Sequence, residues 1–241
     1  MSDAHTTEVY KKWTIEIHYD NDNPESPRDW DNLGTMACWH RRMNLGDKPE
    51  EIERYEPIEW MRHELIYNFE SQIPYPEDSY CEDWLMEDDE RVLKYFNQFY
   101  VQLPIHAYEH SGITIRSGRF SDPFDSGQLG FIYVSKKDVL KEWNKKNWSK
   151  KLELHILKIL EGEIETYDQY LTGDVYGFMI YRPEDVDCEE SEDSCWGFYG
   201  SKYAMEEAKN IIDWRVKENN KQKRAEKKNM LKIETPQFVG I

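Results

Sequence analysis

The densest chemistry in this sequence lies between His106 and Tyr133, where His106, His110, Asp122 and Asp125 fall on or beside β-rich runs. Several carboxylate oxygens suit a hard cation such as Mg²⁺ or Mn²⁺, and imidazoles extend the range to Zn²⁺. The offset of four between His106 and His110 is even, so a continuous strand puts both on one face. A second carboxylate group, Asp20, Asp22, Asp29, Asp31 and Asp47, surrounds the exit of the first strand. These residues define a candidate divalent-metal site, as in a hydrolase or a nucleotide-binding protein. The competing reading is turn chemistry, in which each Asp bonds its own backbone. With no H-E-x-x-H helix and no calcium-loop spacing, turns are the preferred reading, and no cofactor is expected.

Ser111 and Ser126, each next to a glycine, supply with His106 or His110 the residue types of a catalytic triad. The strand-turn-helix setting of a nucleophile elbow is missing, because Ser126 leads into another strand. No glycine spacing matches a phosphate loop.

A third constellation is electrostatic. The runs Glu77–Glu90 and Glu184–Asp193 are dense in carboxylates, interrupted by aromatic residues or cysteine. Glu77, Asp78, Glu82 and Asp83 mark the first run. Glu184, Asp185, Asp187, Glu189, Glu190, Glu192 and Asp193 mark the second. Carboxylates on a rigid surface can imitate nucleic-acid phosphates and occupy a basic groove. On a mobile loop the same residues are merely solvated.

The elements around these residues are legible from periodicity. Val9–Tyr19 alternates Trp13, Ile15 and Ile17 against Thr14, Glu16 and His18, a half-buried strand. Tyr100–Tyr108, Gly112–Ser117, Gln128–Val134 and Asp174–Tyr181 read as further strands, and the five are expected to share one sheet. Trp196–Gly200 is a short aromatic strand. Helices are expected over 49–72 with a break near Pro57, from Asp88 or Asp89 through Phe99, from Ser135 through Trp143, and from Ser149 to Leu171. A last helix runs from Lys202 to about Lys228, with an apolar face only as far as Trp214. Strands in runs rather than strict alternation with helices argue for α+β: a mostly antiparallel sheet covered by helices, with a long C-terminal helix. One domain is expected over 1–214 with an acidic insert near 75–90, followed by a basic helical extension and tail over 215–241.

Composition bounds the rest. The chain has 241 residues and is 39% hydrophobic, and its 16 Tyr, 9 Trp and 9 Phe predict an aromatic rather than aliphatic core. No apolar run approaches the roughly 18 residues that span a bilayer. The N-terminus lacks a basic and then apolar signal segment, which predicts a cytoplasmic protein. Cys38, Cys81, Cys188 and Cys195 match no zinc spacing and read as free thiols. The net charge of −17 is uneven, with 21 basic against 42 acidic residues in the first 200 and 10 against 6 thereafter. Such a body repels phosphates and attracts basic surfaces, so it should not bind nucleic acid directly.

Five segments carry a resemblance: Trp30-Asp-Asn-Leu-Gly-Thr-Met36, Tyr108-Glu-His-Ser-Gly-Ile-Thr114, Asp125-Ser-Gly-Gln-Leu-Gly-Phe-Ile-Tyr133, Gly173-Asp-Val-Tyr-Gly177 and Ser194-Cys-Trp-Gly-Phe-Tyr-Gly200. Together they resemble a family of small acidic proteins encoded by tailed phages and prophages. The resemblance covers most of Trp13–Gly200, and the insert at Tyr75–Glu90 and the basic tail fall outside it. No assigned catalytic residues travel with it. It implies an accessory phage protein expressed in the bacterial host cytoplasm and acting against host defence or metabolism.

The leading expectation is therefore a non-enzymatic phage inhibitor, a DNA mimic. Its acidic surface would engage a basic surface on a host protein, such as a nucleic-acid-handling anti-phage component. The alternative is the Asp/His metal-dependent hydrolase or nucleotide-binding protein. No membrane partner is expected, and a homo-oligomer through the basic helix is left open.

Overall fold

The computed structural model describes residues 4–47, 52, 55–182 and 191–233. The fold is α+β, as expected, with two antiparallel four-stranded sheets and a long C-terminal helix. The expectation of one sheet is not met. The chain forms two compact units, Ser26–Thr172 and the pair of end segments Met1–Glu25 with Gly173–Ile241, where one domain over 1–214 was expected.

In the unit made from the chain ends, strands β1 (Thr6–Tyr10) and β2 (Trp13–Tyr19) form a hairpin. Its turn is Lys11–Lys12, both at positive φ (51° and 73°). The primed two-residue turn that matches strand twist needs that geometry, and Asn-Gly usually supplies it. Two lysines give no such signal, which is why Val9–Tyr19 reads as one strand in the sequence. Strands β7 (Val175–Tyr181) and β8 (Asp193–Tyr199) complete the order β1-β2-β7-β8.

Helix α6 (Ser201–Ile233) lays Ala204, Ala208 and Ile212 on Trp13, Ile15, Ile17, Phe178 and Ile180. The two alanines, one helical turn apart, let the helix approach the sheet closely. Residues 219–227 are exposed throughout, so that stretch of the helix does not pack on the sheet.

In the other unit, β3 (Thr35–Cys38), β4 (Tyr100–Glu109), β5 (Ile113–Arg116) and β6 (Ser126–Ser135) pair in the order β3-β6-β4-β5. Helices cover both faces. On one lie α1 (Pro57–Phe69), α2 (Cys81–Met86) and α3 (Asp89–Phe99), packed with Trp60, Phe69, Phe96, Tyr100, Phe131 and Tyr133. On the other, α5 (Lys150–Thr172) sets Leu152, Ile156, Leu160 and Ile164 against Met36, Ile105, Ile132 and Val134. Short α4 (Lys136–Glu142) joins β6 to α5 and adds Val139 to this side. Alternation along β6 thus sends Phe131 and Tyr133 one way and Ile132 and Val134 the other. The core is aromatic on one face and aliphatic on the opposite face, so the aromatic expectation holds for half of it. Burying each such side chain is worth about 1.5–3 kcal/mol.

Candidate functional site

The Asp/His constellation does not converge. Strand β4 ends at Glu109, which leaves His110 in the following turn beside Ser111 at φ 55°, and a bulge lies between Ile105 and His106. The even-offset argument therefore fails. The His106 ring bonds the Ser117 carbonyl at 3.2 Å, while the His110 ring lies 3.7 Å from Asp125. Asp122 is a turn former: its Oδ1 accepts from Phe124 N (2.8 Å) and Asp125 N (3.2 Å), and these bonds hold its carboxyl below the usual carboxylate range. Asp20 accepts from Gly197 N at 3.0 Å, in a different unit from Asp47. Among the described residues no three His, Cys, Asp or Glu side chains are grouped to hold a metal ion. Among the described residues neither serine hydroxyl bonds a histidine ring. Ser111 Oγ donates to the His110 carbonyl and Ser126 Oγ to the Asp122 carbonyl.

What holds the loops of this unit is a buried ion cluster that sequence reasoning missed. Arg28, with a side chain 5% exposed, donates to Asp47 through Nε (2.9 Å) and Nη2 (2.5 Å), and to Glu163 through Nη1 (3.0 Å). Asp47 also accepts from Met36 N, and Glu163 from Leu33 N and Gly34 N. Burial works against the guanidinium charge, but the bonds to Asp47 and Glu163 outweigh it and raise the Arg28 pKa. One cation thus pins the Trp30–Met36 segment to α5.

The two acidic runs differ in kind. The first is largely helical: Glu77 and Asp78 lie in a turn, and Glu82, Asp83 and Glu90 lie on α2 and α3. Cys81 and Leu85 of α2 are buried in the aromatic layer, and Val92 follows from α3. Asp88 caps α3 by accepting from Glu90 N at 2.9 Å. Arg91 ties the two helices together, with its guanidinium carbon 4.1 Å from the Trp84 ring centroid and its Nη1 bonded to the Trp84 carbonyl. Outward from this scaffold point Glu77, Asp78, Glu82, Asp83 and Glu90, all exposed and with no ion pair among the described residues. Asp88 and Glu87 face Arg91, and Asp89 faces Arg62 at 3.5 Å. Tyr80 (79% exposed) and Met86 stand among the free carboxylates.

In the second run, Glu184, Asp185, Asp187, Glu189 and Glu190 lie outside the described residues. Its last two members are already neutralised. Glu192 accepts from Arg182 (2.6 Å) and Arg215 (2.7 Å), and Asp193 from Arg215 (2.6 Å).

The cysteines are structural where described. Burial pushes the Cys38 thiol up to about 12 and raises that of Cys81, while Cys195 is an exposed free thiol. Cys188 lies outside the described residues. Among the described residues no helix is long and apolar enough to cross a membrane. Comparison with protein-family models, curated proteins and solved structures finds no match.

Proposed function

We propose that this protein is a phage accessory protein that binds and inhibits a host protein through the acidic face of α2 and the start of α3. The partner class is a basic groove, as on a nucleic-acid-handling component of anti-phage defence, and the chain acts on it without catalysis.

The observation that carries this reading is the contrast between anchoring and exposure within Glu77–Glu90. Cys81 and Leu85 are buried, yet five carboxylates of the same segment are exposed and have no ion pair among the described residues. Charges on or beside a helix anchored in the core lose little conformational entropy on docking, whereas the same charges on a mobile loop would have to be ordered first. Tyr80 and Met86 add the apolar contacts on which interface energy concentrates. Supporting the choice of partner, a chain of net charge −17 attracts basic surfaces over about one Debye length, roughly 8 Å at physiological salt. The resemblance to phage-encoded proteins supplies the host context.

The test is affinity capture from a bacterial lysate with the wild type and with the variant E77Q/D78N/E82Q/D83N/E90Q. The reading expects a partner that elutes with rising salt and is lost by the variant. A partner retained equally by both proteins contradicts it.

A further inference from the structure

In the unit Ser26–Thr172, away from the acidic face, a cleft of about 620 Å³ opens between the loop after β3 and the loop before β6. Its chemistry differs from that of the rest of this acidic chain. His40, with a side chain 7% exposed, accepts at Nδ1 from Arg42 N (3.2 Å) and Met43 N (2.9 Å). A ring nitrogen that accepts carries no proton, so Nε2 is the N–H donor, to Glu109 at 2.9 Å. The ring therefore folds the chain tightly around itself and presents two consecutive arginines, Arg41 and Arg42, at the cleft.

Arg42 is partly satisfied by Glu109 at 2.9 Å. Arg41 is exposed, lines this cleft and the adjoining one, and forms no ion pair among the described residues. Opposite stands Phe124, 93% exposed, an unusual place for a phenylalanine. It is not loosely held, because the Asp122 carboxylate fixes its backbone N–H and that of Asp125, and Asp125 O accepts from Glu109 N at 2.8 Å. Asp125 and Gln128 supply an acceptor and an amide along the wall.

We propose that this cleft binds a nucleoside phosphate. Arg41, assisted by Arg42, takes the phosphate oxygens, for which the guanidinium fork is suited. The base stacks on Phe124, and Asp125 accepts from a ribose hydroxyl. A cation, an exposed aromatic face and a carboxylate fit this ligand class better than a simple anion, which would use only the arginines. The volume lies in the range of small-molecule sites. The proposal uses none of the residues of the acidic face.

The experiment is calorimetric titration of the full chain with ATP, GTP, AMP, adenosine and inorganic phosphate. ATP or GTP should bind more tightly than AMP, and adenosine and inorganic phosphate at least ten-fold more weakly than the best nucleotide. Arg41→Ala should weaken the nucleotide about ten-fold or more. Phe124→Ala should weaken it several-fold while leaving weak phosphate binding unchanged. Both changes are at exposed side chains, and far-UV circular dichroism verifies the fold. The acidic-face variant should bind nucleotide like the wild type, so failure of the docking reading and failure of this one are separable. No binding up to millimolar nucleotide, phosphate binding as tight as nucleotide, or wild-type affinity in both single variants would each overturn the proposal.

Discussion

The guanidinium of Arg28 and the carboxylate of Asp47 meet in a two-point pair, 2.9 and 2.5 Å, inside the protein and 19 positions apart in sequence. Glu163 joins them from α5, so one side chain, on the short 3-10 turn Pro27–Asp29, ties Asp47 to that helix.

Arg28→Met should therefore destabilise the chain, by up to about 3–5 kcal/mol, because two half-buried carboxylates lose their buried cation. Arg28→Lys should rescue little, since an ammonium cannot bond both Asp47 oxygens and Glu163 in the same plane. Urea unfolding of the two variants reads both effects.

Glu109 should make stability depend on pH. The hydrogen bond from His40, and then Arg42, holds its carboxyl below the ordinary carboxylate range. Its contribution to stability is present above about pH 4.3 and is lost as pH falls through the depressed folded value. Glu109→Gln should accordingly flatten the loss of thermal stability between about pH 5 and pH 3. An acid limb as steep as that of the wild type would show that the His40–Glu109 bond contributes nothing.

Neutralising the acidic face should cost stability rather than add it. Glu82 lies in the first turn of α2 and Glu90 in the first turn of α3, where a carboxylate favours the positive end of the helix. E82Q/E90Q should lower stability by about 0.5–2 kcal/mol at low salt, and less in 0.5 M NaCl. Thermal melts at the two salt concentrations measure this. A gain in stability would mean that mutual repulsion dominates the face.

How much of this was legible depended on where the signal was local. The caps were readable because a single side chain makes them: Asp88 before α3 and Ser135 before α4 both accept the backbone bonds expected of them. The pattern Trp13-Ile15-Ile17 correctly marked a buried strand face. The Lys11–Lys12 turn was not readable, because its residue types do not favour positive φ. Nor was the division into two sheets, since β2 and β7 pair across 155 residues of intervening chain and alternation does not reveal which strands meet. Arg28, His40 and Glu163 were missed for the same reason: each is one polar residue among many, made special only by burial and by partners distant in sequence. Asp122 and Asp125 carried a metal-like composition, but the Asp122 carboxylate bonds backbone N–H groups in the turn and that of Asp125 faces His110.

The basic part of α6 offers a simple check on assembly. Removing residues 221–241 should change the melting temperature by less than about 2 °C, because the helix residues that pack on the sheet, Ala204 to Val216, all precede the cut. Sedimentation of the two forms reads oligomeric state, and an assembly lost on truncation would identify the helix as the arm that joins copies.

The central claim is that the acidic face occupies the site where a partner would hold nucleic acid. Its most direct measurement is the affinity of the captured host partner for duplex DNA at fixed salt, with increasing amounts of this protein. The account predicts competition: apparent DNA affinity falls in proportion to added wild-type protein, and E77Q/D78N/E82Q/D83N/E90Q has at least ten-fold less effect. A ternary complex in which the partner holds DNA and this protein together at undiminished affinity would contradict it.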